Sequence, residues 1–190
     1  MATAHAPLII VMGVCGTGKS TLSTAISDAL QLPHIDADDL HPAANVAKMS
    51  TGTPLEDEDR WPWLGIVRNA AEVAVQSQLA ANEPRTGVVL ACSALRKSYR
   101  DVLRAPSTLN SPPVPLDVVF VHISGSKEVL LDRMAKRAGH FMKPKMVESQ
   151  LATLEVPTDE PNVITVNLED STDDQKAFAL NAIKELGLHI

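Results

Sequence analysis

The sequence predicts an α/β fold, a three-layer sandwich in which helices cover both faces of a five-stranded parallel sheet. Three observations point to it. Leu8-Ile9-Ile10-Val11-Met12 is an unbroken apolar run that ends in a glycine-rich turn, and a helical pattern starts directly after it. Further short apolar runs stand at 32–36, 87–92, 117–123 and 163–166, the third strand being too continuous to be half-exposed. Between the runs, apolar residues recur three and four apart, the period of helices packed on a sheet.

Composition narrows the class. A chain of 190 residues fits one domain, 1–190, with enough length to bury a real core. Its 45% apolar content excludes a wholly disordered chain, and a net charge of −6 argues against nucleic acid as a partner. No apolar run reaches the ~20 residues that cross a bilayer, so no membrane association is expected. Met1–Pro7 lacks the basic region and apolar segment of a secretory signal. Two cysteines, one of them in the glycine-rich turn, make no disulfide framework and fit a reducing cytoplasm.

The first strand runs into Gly13-Val14-Cys15-Gly16-Thr17-Gly18-Lys19-Ser20, which satisfies every fixed position of G-x-x-x-x-G-K-[ST]. Glycines let backbone amides converge on phosphate oxygens where a Cβ would obstruct them. The helix start adds free N–H groups and a partial positive charge. Lys19 can reach the β- and γ-phosphates, and the Ser20 hydroxyl can ligate Mg²⁺. Gly13 to Ser20 and the adjoining Thr21 are therefore the candidate nucleotide site. The helix should bury Leu22, Ala25, Ile26, Ala29 and Leu30.

Leu32–Asp36 reads as the second strand and delivers Asp36-Ala37-Asp38-Asp39 to its carboxyl end, where open α/β sheets bind ligands. Alternation along an extended chain points Asp36 and Asp38 to one side. Asp36 is the candidate for the metal shell and Asp38 for orienting the acceptor hydroxyl. Asp39 is the candidate cap of the next helix. A short helix around Ala43–Met49 and a loop over Ser50–Asp59 follow, rich in polar groups: His41, Asn45, Lys48, Asp57, Asp59 and Arg60. Their density beside the aspartates suggests an acceptor-binding segment, about 38–62. Trp61-Pro62-Trp63 opens a long helix, with Pro62 in its first turn and both tryptophans read as core anchors rather than sugar platforms.

The third strand, Gly87–Cys92, ends at Ser93-Ala94-Leu95-Arg96-Lys97-Ser98-Tyr99-Arg100, which brings a hydroxyl and two cations to a helix start. That suits an anionic acceptor. Arg100 and Arg104 share a helix face and read as solvated. Ala105–Leu116 holds four of the 13 prolines and reads as a surface loop. After the strand Asp117–Ile123, the helix Ser126–Ala138 should bury Leu130, Met134 and Ala138. Arg133 and Arg137 share its flank, suited to closing over phosphates from a mobile lid, about 133–150; the alternative is a basic surface partnered by Asp132 and Glu128. Gly139-His140-Phe141-Met142 would be the lid tip and Pro144–Leu154 its returning helix. Val163–Val166 gives the last strand, and Asp173–Leu186 closes the fold on Ala179, Ile183 and Leu186.

Taken together, these stretches resemble the small P-loop gluconokinases, which phosphorylate D-gluconate at the 6-hydroxyl with ATP and Mg²⁺. The matching segments are Gly13–Ser20, Asp36–Pro42, Asn45–Met49, Gly52–Arg60, Pro62–Leu64, Cys92–Asp101, Gly139–Met142 and Gln150–Pro157. The resemblance implies a nucleoside-monophosphate-kinase-like fold, a moving lid and a homodimer. It implies that Asp38, His41, Lys48, Arg60, Ser93, Arg96, Lys97, His140 and Gln150 face the acceptor or the closed lid. Lys19, Asp38, Arg133 and Arg137 would then act in catalysis, with Ser20 and Asp36 at the metal. Cys15 stands where the family commonly has serine, Arg96 where lysine is frequent, and Ala105–Leu116 is longer than in compact members. Arginine and lysine differ in geometry, so the carboxylate grip could differ. A shikimate or nucleotide kinase is the alternative enzyme, but Cys92-Ser93-Ala94-Leu95 replaces the glycine-rich turn that shikimate kinases carry after strand three. A GTP-dependent binding switch would need an N-K-x-D segment, and none occurs.

Overall fold

The computed structural model describes residues 6–109, 113–136 and 144–188. In chain order the elements are β1 (Ala6–Met12), α1 (Lys19–Leu30), β2 (His34–Asp36), a 3₁₀ turn (Ala37–Leu40), α2 (Ala43–Ser50), α3 (Asp57–Ala80) and β3 (Val88–Ala91). There follow α4 (Lys97–Arg104), β4 (Leu116–Ser124), α5 (Lys127–Lys136), α6 (Pro144–Thr153), β5 (Val163–Asn167) and α7 (Thr172–Glu185). The strands form one parallel sheet in the order β2-β3-β1-β4-β5. Among the described residues no helix is long and apolar enough to cross a membrane.

Burial explains the apolar runs. Central β1 pairs with β3 and β4, and all seven of its residues are buried. Edge strand β5 alternates instead, burying Ile164 and Val166 while Thr165 and Asn167 are exposed and Val163 is half-buried. Ile9 and Val11 face one core with Leu22, Ile26, Leu130, Val147, Ala179 and Ile183. Leu8, Ile10 and Met12 face the other with Trp63, Leu64, Val67, Ala71, Tyr99 and Leu103. The sheet is therefore the middle of three layers, with α1, α5, α6 and α7 on one side and α3 and α4 on the other. The turn after β1 lies at the carboxyl end of the sheet, between β1 and β3, whose following helices α1 and α4 pack on opposite faces, which is where such sheets open a crevice.

Several expectations need correction. In α1, Ala29 is exposed, and Ser23 and Ser27 are buried in its place. Their hydroxyls find partners there: Ser23 Oγ lies 2.7 Å from His34 Nε2, and Ser27 Oγ donates to the Leu32 carbonyl at 2.6 Å. Helix α3 begins at Asp57, inside the expected loop, because the Asp59 carboxylate accepts the Glu56 N–H at 2.8 Å and starts the helix early. Pro62 consequently lies beyond the first turn. Leu186 is the C-cap of α7 and 44% exposed, so it leaves the buried stripe that Ala179 and Ile183 keep. Leu130 is buried as expected, and Ala138 lies outside the described residues.

Two buried ion pairs were not legible as such. Arg100, expected to be solvated, is fully buried; its guanidinium donates to Glu160 and to the carbonyls of Ala94, Leu95 and Glu155. Arg104 also reaches Glu160, at 2.8 Å. On α3, buried Arg68 pairs with Glu72 at 3.0 Å and donates to the Leu103 carbonyl. Glu72 in turn accepts the backbone N–H groups of Ser107 and Val114. The proline-rich 105–116 stretch is therefore not wholly a surface loop: Ser107 and Val114 are buried where this carboxylate tethers them to α3.

Candidate active site

The expected phosphate loop spans the gap between β1 and α1. Gly13 has φ +144°, and a Cβ there would stand 3.0 Å from the Ile123 carbonyl oxygen, so only glycine lets the loop pass β4 this closely. Gly18 caps α1 at φ +93° with no side-chain cap, which leaves the first-turn amides, Thr21 included, to an incoming anion. Thr17 Oγ1 donates to the Val14 carbonyl at 2.9 Å and knits the loop together. Lys19 folds back on the same carbonyl at 3.2 Å. The Cys15 amide donates to Gln150 Oε1 at 2.6 Å, so an oxygen from α6 already sits on the loop. Burial holds the Cys15 thiol above its ordinary pKa, with Lys19 pulling the other way.

Ser20 Oγ donates to Asp36 Oδ2 at 3.0 Å, joining the loop to the acidic turn after β2. Asp36 also caps the 3₁₀ turn by accepting the Asp38 N–H at 3.1 Å. The chain coils here instead of alternating, and coiling is what brings Asp36 and Asp38 together. Asp39 caps nothing in α2, whose N-cap is Pro42 and lacks a side-chain cap. Asp38 is solvent-exposed, and partial desolvation of its carboxyl, then the charge of Asp36, raise its pKa; Lys19 and His41 oppose the shift. Ser20 and Asp36 offer two oxygen donors, and no group of three or more His, Cys, Asp or Glu among the described residues could hold a metal. That donor set fits Mg²⁺, which takes one or two protein oxygens and completes its shell with water and phosphate.

Beyond the aspartates lies the acceptor-binding segment. His41 stacks on Trp63 with ring centroids 4.2 Å apart. Burial holds its pKa below the usual value; Asp38 opposes this and Arg60 adds to it. Trp63 is a core anchor, as expected, and its indole N–H donates to the Ala37 carbonyl at 2.8 Å, fastening α3 to the acidic turn. Trp61 is not: it is 38% exposed and meets Tyr99 edge-on. Asn45, buried, donates to the Asp59 carbonyl and lies 3.4 Å from His41 Nδ1.

The cations are already partnered. Lys48 pairs with Asp59 at 2.6 Å and Arg96 with Asp57 at 2.7 Å. Arg60 lies 3.6 Å from Asp57 and donates to the Tyr99 hydroxyl at 3.2 Å. Both guanidiniums sit over the Tyr99 ring, whose hydroxyl donates to Asp57. Burial, and then this bond, raise the Tyr99 pKa. An open cleft of about 340 Å³ borders the group, lined by Arg60 and Arg96 and also by the carboxylates of Glu56, Asp57 and Glu58. Asp57, expected only as one of the polar groups of the acceptor segment, and Tyr99, which sequence reasoning did not single out, organise this group.

Other expected residues are placed differently. The Ser93 carbonyl accepts the Gly13 N–H at 3.4 Å, which sets Ser93 beside the phosphate loop. Lys97 turns to Asp101 on its own helix and is exposed. Arg133 donates to the Leu168 carbonyl at 2.6 Å, after β5. Arg137 and His140 lie outside the described residues.

The family model described as an AAA domain matches residues 8–157. A gluconokinase of Gluconobacter oxydans is 45% identical over 165 residues, 87% of this chain and 84% of that protein. A probable gluconokinase of Schizosaccharomyces pombe is 42% identical over 180 residues, 94% of this chain and 89% of that one. The crystal structure of a gluconokinase from Sinorhizobium meliloti 1021 superposes with a TM-score of 0.77 at 39% identity, covering 97% of this chain and 95% of the other.

Proposed function

The chain belongs to the gluconokinase family, and from that premise we propose how its cleft phosphorylates gluconate. The observation that carries the mechanism is the 3.0 Å bond between Ser20 and Asp36, which joins a phosphate loop to the turn bearing Asp38. ATP is the donor, bound through the amides of Gly13 to Thr21 and through Lys19. Ser20 and Asp36 would hold Mg²⁺, which would neutralise charge on the phosphate oxygens. Asp38 accepts the hydrogen bond of the gluconate 6-hydroxyl and takes its proton as the oxygen bonds to the γ-phosphorus and the bond to ADP breaks. Lys19 and the loop amides bind the charge that develops on the phosphoryl oxygens.

The acceptor carboxylate requires charge-assisted donors, and Arg60 and Arg96 border the cleft where it would lie. Lys48, Lys97, His41 and Ser93 complete the polar surround, with His140 and Gln150 on the lid side. Residues 133–150 form that lid, Arg133 and Arg137 close from it over the phosphates, and residues 38–62 form the acceptor segment of a single domain, 1–190. The active species is a homodimer, and the enzyme works in the cytoplasm. Consumption of ATP, measured side by side with gluconate, glucose, glucuronate and shikimate, tests the assignment. Gluconate should support turnover, and a clear preference for shikimate would overturn it.

A further inference from the structure

The acceptor cleft cannot select a carboxylate by net charge. Glu56, Asp57 and Glu58 line it together with Arg60 and Arg96, so its walls carry more carboxylates than guanidiniums. An anion is held there only by N–H donors that are aimed at it, through directed, charge-assisted bonds. Two separately fixed helix starts do the aiming. Helix α3 brings Asp57 and Arg60 on its first turn, and the Asp59 carboxylate fixes that turn by accepting the Glu56 N–H. Helix α4 brings Arg96 as its N-cap and Tyr99 in its first turn, and the Glu155 carboxylate accepts the Lys97 N–H at 2.6 Å. Tyr99 is buried among the core residues on this face of the sheet, which fixes its ring.

The Tyr99 hydroxyl is the hub of the group. Burial and its bond to Asp57 keep the phenol protonated. Its single hydrogen goes to Asp57 Oδ1 at 2.5 Å, and its oxygen accepts from Arg60 Nη1 at 3.2 Å. The other oxygen of the same carboxylate, Asp57 Oδ2, accepts from Arg96 Nη1 at 2.7 Å. The guanidinium carbons of Arg60 and Arg96 lie 5.7 and 5.8 Å from the Tyr99 ring centroid, so one ring sets the place of both. In these bonds each guanidinium uses Nη1, which leaves Nε and Nη2 as donors for a ligand. We propose that the Tyr99 hydroxyl is a specificity-determining positioning group that, through Asp57, aims Arg60 and Arg96 at one acceptor carboxylate. The proposal rests on the acceptor site assigned above. It keeps Tyr99 out of the phosphoryl transfer itself, so its loss is felt in acceptor binding and not in turnover.

The test compares Tyr99→Phe with the unaltered chain in steady-state kinetics with gluconate and with glucose, and in calorimetric titration of a non-hydrolysable ATP analogue with Mg²⁺. Phenylalanine keeps the ring under both guanidiniums and removes only the hydroxyl. The KM for gluconate should rise about three- to tenfold, the change expected from one hydrogen bond, with kcat kept within about twofold. Both kcat/KM with glucose and affinity for the analogue should hold, so the preference for gluconate falls by the same factor. An unchanged KM for gluconate overturns the proposal, and so do equal losses with both sugars, the mark of a merely structural role. Asp57→Asn, which keeps the shape of the side chain, provides the second variant and should raise the KM for gluconate as well. A lower KM there would make Asp57 a competitor of the acceptor and would overturn the proposal too. An unaltered chain that does not prefer gluconate to glucose would overturn the carboxylate site itself, whatever the variants do.

Discussion

Asp38 is solvent-exposed, yet partial desolvation of its carboxyl and the nearby charge of Asp36 raise its pKa, and Lys19 and His41 pull it back only in part. The fold therefore binds its proton more tightly than the unfolded chain does. Stability from that proton is present below the unfolded value, near 3.9, and is lost as pH rises through the folded value. At neutral pH the ionised side chain is a burden on the fold that function retains. Asp38→Asn should raise the thermal midpoint at pH 7, with the gain shrinking in scans toward pH 4, while kcat falls about a hundredfold. A variant with normal turnover would remove Asp38 from the chemistry. Lys19→Ala should likewise cost roughly a hundredfold or more in kcat, read from steady-state rates with gluconate. Lys19 was legible because its meaning lies within eight consecutive residues. Tyr99 and its pairing with Asp57 were not, since that role arises from one bond across 42 positions.

Among the elements, α4 shows how a helix can be fastened by charge as well as by apolar area, with Arg100 buried beside Tyr99 and Leu103. Glu160 ties down Arg100 and Arg104, and hydrogen bonding to Arg100 lowers its pKa to about 2. A carboxyl with a depressed folded pKa adds stability above its unfolded value, near 4.3, and loses it as pH falls through about 2. Glu160→Gln leaves a buried guanidinium uncompensated and should cost about 3 kcal/mol at pH 7 by urea titration. The deficit should narrow in titrations run progressively below pH 4. Helix periodicity could not announce this, because charged residues at helical spacing read the same whether they face water or a carboxylate 60 residues away. The early start of α3 escaped for a related reason. Glu56 and Asp59 look like loop residues until a capping bond joins them.

For the molecule as a whole, gluconate differs from glucose chiefly by a carboxylate, and Arg60 and Arg96 border the cleft beside a shared Asp57. Glucose should be the poorer acceptor by at least about two orders of magnitude in kcat/KM, because it brings no carboxylate to accept charge-assisted hydrogen bonds from these arginines. Equal rates with both sugars would dissociate these arginines from acceptor choice. The layered architecture was legible in the apolar runs, since strands buried on both faces have no polar side to show. Strand order was not, because nothing in a run names its neighbours. That order has a further consequence during synthesis. β1, the first of the five strands to be translated, is the middle of the sheet, and its partners β3 and β4 are completed only at Ala91 and Ser124. A nascent chain stalled near residue 110 holds β1 with one edge unsatisfied and its apolar face uncovered, the state that chaperones bind and that aggregates on release.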